Sequence, residues 1–241
     1  MGIAYNSSIT IDGLVLHLDA ANPRCYSGSG TSVYDLYSTG IGATLVGGIT
    51  YSSTNSGSFV LNGTSQYINI PNSSGYGIST ESFTMILFAK PTIPVGNFIS
   101  LLSNRQLTGF NNGILITTDF SANRELYLRY QLNTVSATNQ YNSGTIALSR
   151  NNYNHIAMVV NKTNNTLTSY LNGALDASYS ITGLTSIGST HSLEIGRDEA
   201  FVPDARAWMG GNLSIFQIYN RPLLISEIKT NYNGMKKRYG L

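Results

Sequence analysis

Apolar and polar residues alternate along most of the chain in short runs separated by turn-forming clusters, the period-two pattern of strands with one face buried. Leu14, Leu16 and Leu18 share one face of an early strand, with Val15 and His17 on the other. Phe59 and Leu61 lead into Asn62-Gly63, and residues 67–70 follow, so a turn is expected to connect two strands there. Phe83, Met85, Leu87 and Ala89 alternate with Thr84, Ile86, Phe88 and Lys90. Both faces of that run are apolar, which predicts a strand in the middle of a sheet, ended by Pro91 and Pro94. Leu126, Leu128 and Tyr130 alternate with Tyr127, Arg129 and Gln131, as in a sheet with one solvated face. Residues 155–160 and 166–171 flank an Asn-rich loop as a hairpin, Asn172-Gly173 turns the chain again, and 193–196 and 213–219 read as the last strands.

Helical periodicity is confined to the C-terminal end. Ser226 is a residue type that caps helices, Glu227 suits the first turn, Ile228, Tyr232 and Met235 recur at helical spacing, and Gly234 reads as a stop. The pattern predicts an all-β antiparallel sandwich closed by one short helix at about 226–236. It forms a single domain over 1–241 with an N-terminal arm at about 1–12, because no linker or shift in composition divides it.

Composition sharpens this picture. Charged residues make up 11% of the 241 and hydrophobic residues 41%. The charged share is well below the roughly 25% of an ordinary globular protein. Neutral Asn, Ser, Thr, Gly and Tyr carry the polarity, which favours turns and strands over helices. A net charge of +2 is too small for a polyanion-binding surface, so nucleic acid is excluded as a partner. The one basic cluster, Lys236, Lys237 and Arg238, lies where a helix dipole favours cations. The single cysteine, Cys25, cannot form an internal disulfide. No signal-like segment or apolar run long enough to span a membrane is present, so assembly in a cytosol is expected. Sequons at Asn6, Asn62, Asn72, Asn161, Asn164 and Asn212 arise readily by chance in so Asn-rich a chain.

Several segments together resemble one family. Gly57-Ser-Phe-Val-Leu-Asn-Gly-Thr-Ser-Gln-Tyr-Ile-Asn-Ile70, followed by Ser82-Phe-Thr-Met-Ile-Leu-Phe-Ala-Lys-Pro91, is similar to the opening of concanavalin A-like, laminin G-like domains. Asn154-His-Ile-Ala-Met-Val-Val160 and Ser169-Tyr-Leu-Asn-Gly173 resemble that family's central hairpin, and Leu193-Glu-Ile-Gly196 its next strand. Gly210-Gly-Asn-Leu-Ser-Ile-Phe-Gln-Ile-Tyr-Asn-Arg-Pro-Leu223 resembles its closing signature. The resemblance spans about 11 to 236 and implies a concanavalin A-like jelly roll. The start, Asp12-Gly-Leu-Val-Leu-His-Leu-Asp-Ala-Ala-Asn-Pro23, and the end, Tyr239-Gly240-Leu241, look like the version carried by structural proteins of tailed phages.

The fold hosts lectins, adhesins, glycosidases and capsid ornaments, so candidate sites are weighed residue by residue. Glycosidases of this fold carry Glu-x-Asp-x-x-Glu, and the nearest match, Glu194-Ile-Gly-Arg-Asp-Glu199, has Gly196 where the middle carboxylate belongs. Nucleophilic catalysis is unsupported, because His17, His155 and His191 are scattered and His155 reads as a satisfied structural residue. Catalytic residues are therefore expected to be none. Calcium is not assigned despite Asp19, Asp35, Asp198 and Asp204, because Gln66 and Ser214 stand where the family places acidic ligands. Asp198, Glu199 and Asp204 read as a solvated loop. With Arg206 and Trp208 they form the candidate glycan-binding set, Trp208 also having a bland reading as a loop anchor.

Taken with the resemblance, these features imply a non-enzymatic virion component of a tailed phage: a capsid decoration, head-fibre or tail-associated subunit present as homo-oligomers or lattice-bound copies. Its partners would be capsid or tail proteins and host surface polysaccharide, with no membrane. A glycan-binding adhesin is the alternative, and a divergent glycosidase a third.

Overall fold

A computed structural model describes residues 9–38, 40–54, 57–71, 73–92, 99–105, 112–120, 126–142, 146–149, 151–202, 204 and 208–241. Most of the expected arm, Pro94, Arg206 and the sequons at Asn6 and Asn72 lie outside the described residues.

Two eight-stranded antiparallel sheets pack face to face. The first runs β14 (Ala174–Ser180), β13 (Thr166–Leu171), β12 (Asn154–Asn161), β7 (Phe83–Thr92), β16 (Gly210–Tyr219), β5 (Ser58–Asn62) and β4 (Thr50–Ser52), with β1 (Leu14–Asp19) also paired to β16. The second runs β11 (Gln140–Asn142), β10 (Leu126–Asn133), β9 (Gly113–Phe120), β8 (Ser100–Ser103), β15 (Leu193–Ile195), β6 (Tyr67–Ile70), β3 (Ile41–Val46) and β2 (Ser32–Tyr34). The core between the sheets gathers the expected alternating residues, among them Leu16, Leu18, Phe59, Leu61, Phe83, Met85, Leu87, Leu128, Tyr130, Ile195 and Phe216.

β7 is central in its sheet and apolar on both faces for the reason the sequence implies. Phe83, Met85 and Leu87 enter the main core, whereas Ile86 and Phe88 point to the outer face, which is covered by α1 (Ile225–Met235) and the chain end. It does not stop before Pro91. Its ladder with β12 closes at Ala89, but pairing with β16 continues through Pro91 and Thr92, so the missing proline N–H costs no ladder bond on the β12 side.

The turn at Asn62-Gly63 connects two strands as expected, and because β5 belongs to the first sheet and β6 to the second it is a corner between sheets. Its order comes from side chains, since Asn62 Oδ1 accepts from the Thr64 and Ser65 amides and Gln66 Oε1 accepts from the Asn62 amide. The helix begins after Leu224 rather than at Ser226, because the Glu227 carboxylate accepts the Leu224 N–H at 2.8 Å while Arg221 holds its other side. Gly234 does not stop it. The helix reaches Met235, continues as a 3-10 turn over Lys236–Tyr239, and ends at Gly240, whose φ of 70° suits glycine.

The chain end is tied down more firmly than a dipole argument requires. Arg238 donates to both oxygens of the buried Asp19, at 2.9 and 2.8 Å, and Tyr239 packs on Phe88 and Tyr153. At the other end, Thr10 N donates to Asn231 Oδ1, and its carbonyl accepts from the Tyr219 hydroxyl. Cys25 is buried, and burial pushes its thiol up to about 12, so it behaves as an apolar filler. Among the described residues, no helix is long and apolar enough to cross a membrane.

Candidate functional site

Side chains on β6 and β15 alternate, so Ile68, Ile70, Leu193 and Ile195 enter the core while Tyr67, Asn69 and Glu194 stand on the outer face of the second sheet. The loop after β15 folds over this face, led by Arg197 and a 3-10 turn at Glu199–Phe201, and returns through Trp208, which forms an isolated antiparallel bridge with Arg197.

Arg197 is the centre of the arrangement. Its guanidinium lies 3.8 Å from the centroid of Tyr67 and 6.0 Å from that of Trp208, and the two rings are 6.5 Å apart. Nε donates to Glu194 Oε2 at 2.6 Å, and a terminal nitrogen donates to Glu194 Oε1, a bidentate pair on a carboxylate almost wholly buried. His191 Nε2 lies 2.7 Å from Glu199 and 3.6 Å from Glu194. The Glu194 carboxylate, with Glu199 beside it, raises the His191 imidazole above its ordinary value against the pull of burial. Burial alone would raise Glu194, but the neighbouring His191 and the bonds from Arg197 bring its carboxyl below the usual range.

A second charged pair lies beneath the loop. Asp198 is fully buried, accepts from Ser103 at 2.9 Å, and pairs with Arg105, which donates also to Gln131 at 2.7 Å and covers the Phe201 ring at 4.8 Å. This corrects the reading of Asp198 as a solvated, ligand-contacting residue, because a carboxylate with no exposed surface and an arginine on it cannot meet a sugar. Glu199, Asp204 and Trp208 remain half-buried on the loop, whereas Arg206 is outside the described residues. His191, Arg197 and Tyr67 join the surface although the sequence did not single them out for it. The only local signal was the spacing of Glu194 and Arg197, three apart across a glycine.

That glycine decides the chemistry. Gly196 has φ of 88°, and a Cβ there would fall 2.2 Å from Leu61 Cδ2. An aspartate cannot stand at this position of the strand end without displacing core, and Glu194, locked to Arg197, is no general acid awaiting a glycosidic oxygen. His191, Glu194 and Glu199 place one ligand atom each within 4.8 Å of one another, the described group able to hold a cation, though Arg197 already supplies positive charge to Glu194. The positions where calcium was weighed are engaged elsewhere. Gln66 Nε2 donates to the carbonyls of Gly47 and Gly48, Ser214 to the Gly57 carbonyl, and Asp35 accepts from three backbone amides. His155 departs from the satisfied residue expected: it is fully buried with neither ring nitrogen hydrogen-bonded, and burial pushes its imidazole down to about 3.

Fold and site define a jelly-roll sandwich with an aromatic and charged patch on one outer face. The sequence matches the concanavalin A-like lectin/glucanases superfamily over residues 62–229, and the chain belongs to that superfamily. No curated protein matches the sequence. Among solved structures, the binding domain of Paraclostridial Mosquitocidal Protein 1 is similar at 18% identity and a TM-score of 0.71, covering 92% of this chain and 52% of that one. The botulinum neurotoxin DC binding domain in complex with SialylT is similar at 14% identity and a TM-score of 0.65, covering 93% and 52%. The chain thus spans about half the length of these toxin domains. Domain 4 of AbnA, a GH43 extracellular arabinanase from Geobacillus stearothermophilus, in complex with arabinotriose, is similar at 17% identity and a TM-score of 0.62, covering 91% and 98%. At these identities the likeness is one of fold.

Proposed function

We propose that this domain is a non-catalytic glycan-binding module that meets sugar on the outer face of its second sheet, at Tyr67, Arg197, Trp208 and Glu199. The observation that carries the reading is the Tyr67–Arg197–Trp208 platform with Glu199 and His191 at its edge. Planar surface packs against a sugar ring, and adjacent carboxylate and imidazole groups meet its hydroxyls. A domain of matching length, domain 4 of AbnA, carries arabinotriose in its solved complex, which supports the class of ligand. The strained glycine between Glu194 and Arg197 supports the absence of hydrolysis.

A glycan array followed by calorimetry with arabino-oligosaccharides tests this. Binding is expected, and Trp208→Ala or Tyr67→Ala should weaken it about tenfold, the scale of a lost aromatic contact. An array without signal, or affinity unchanged in both variants, overturns the reading. A place on a phage particle is a second reading, favoured by the sequences of residues 12–23 and 239–241. It predicts this chain in purified virions by mass spectrometry, in many copies for a capsid ornament and few for a tail adhesin. Absence from the particles refutes it.

A further inference from the structure

We propose that this chain pairs with a second copy of itself through the outer edge of β14, joining the two first sheets into one continuous antiparallel sheet. The pairing does not depend on what the Tyr67 platform binds. An edge strand presents backbone N–H and C=O groups without a ladder partner, and it is a template for a further strand unless it is short or covered. Of the four strands that end the two sheets, β2, β4 and β11 have 3 residues each, whereas β14 has 7. β1, with 6 residues and paired to β16 alone, is covered on its other side, where His17 N donates to Asp35 Oδ1 and its carbonyl accepts from the Leu36 amide. On β14 no such cover exists among the described residues. The Ile181 amide donates to the Asn165 carbonyl, which sets the alternation: Ala177 and Tyr179 turn their backbone groups to β13, and Ser178 and Ser180 turn theirs outward. Both serines are exposed.

Several features favour a copy of the same strand over a foreign one. A twofold axis sets each residue against its own kind, so a charged edge repels itself. The one charged residue of β14, Asp176, stands at a bulge, is buried, and accepts from the Ile146 amide and the Ser169 hydroxyl, away from the regular run 177–180. An axis centred on Ser178 opposes two hydroxyls, each able to donate and to accept, and continues the 3.3 Å contact of Thr168 and Ser178 across the seam. The same register places Tyr179, which packs on Tyr141 on the core side, beside Ala177 of the second copy, large against small. Strands joined in this way are related by an axis perpendicular to the sheet, so both second sheets stay on one side of it. The two Tyr67 platforms then face the same way, and a surface carrying a repeated ligand is met by two sites at once.

Sedimentation equilibrium of the folded domain over a wide range of concentration tests this. A reversible dimer is expected. Ser178→Pro removes an outward N–H, a donor that an edge strand can lose without breaking its own ladder, and by symmetry it takes two bonds from the seam. The dissociation constant should rise about tenfold or more. Ser178→Lys and Ser178→Glu, at an exposed position that leaves the fold intact by circular dichroism, should each weaken the dimer, and an equimolar mixture of the two should recover it. This charge pair decides the matter even where proline disturbs the strand. A wild type that stays monomeric, as it would if the edge served an extended segment of another protein, overturns the proposal. So does a dimer that Ser178→Lys leaves unchanged, or a mixture that associates no better than the single variants.

Discussion

Replacing His155 by leucine should make the protein more acid-resistant, by an amount set by the burial of one ring. His155 sits on β12 under the C-terminal helix, with the Phe88 ring at 4.8 Å and the Tyr232 ring at 5.6 Å. No charged group offsets the burial that holds the imidazole at about 3, against 6.5 in the unfolded chain. Between those values the unfolded state binds one proton more than the native state. The His155 contribution is therefore intact above pH 6.5 and is lost progressively as pH falls toward 3. Over the two units from 6.5 to ~4.5 the loss is about 2–3 kcal/mol, at a little over 1 kcal/mol per unit. His155→Leu keeps the backbone bond to Asn172 and substitutes an apolar group of similar size where two ring nitrogens have no partner. Urea unfolding of both proteins at pH ~7.5 and ~4.5 gives the double difference, in which His17, His191 and the carboxylates cancel. The variant should gain about 2–3 kcal/mol on the wild type between the two pH values. A gap that stays constant with pH refutes a neutral buried imidazole.

Arg238→Ala should cost about 3–5 kcal/mol, because Asp19 would stay buried without its cation. Arg238→Met combined with Asp19→Asn should recover much of that loss, and chemical denaturation of the three proteins reads both effects. Gly196→Asp should restore no hydrolysis of laminarin and should lower the melting temperature, by about 2 kcal/mol or more of stability for a positive φ and an overpacked Leu61. An unchanged melting temperature would mean that Leu61 yields.

Strands and core were legible because a half-buried strand must alternate, and the apolar residues on both faces of β7 marked its central place. Contacts between remote segments were not. Nothing in Asp198 or Arg105 announces a pair 93 residues apart, and the same holds for Asp19 and Arg238, 219 apart. An acidic loop reads as solvated until the sheet beneath it supplies an arginine. Tyr67 was visible only as the first residue of an expected strand, and its place in the platform follows from β6 lying beside β15, a neighbour relation set by topology rather than local sequence. The helix starts one residue earlier than expected because the Glu227 carboxylate, itself held by Arg221, accepts the Leu224 N–H and makes Leu224 the cap in place of Ser226.

The tying of Thr10 to Asn231 and Tyr219, and of Arg238 to Asp19, places both described ends of the chain on the outer face of the first sheet. The Tyr67 platform is on the outer face of the second, with the whole thickness of the sandwich between them. The described C-terminal residues thus lie on the side of the sandwich away from the Tyr67 platform. Copies anchored by that side to a support all look outward with the same face, so an immobilised layer is oriented by the fold alone, without any engineered handle.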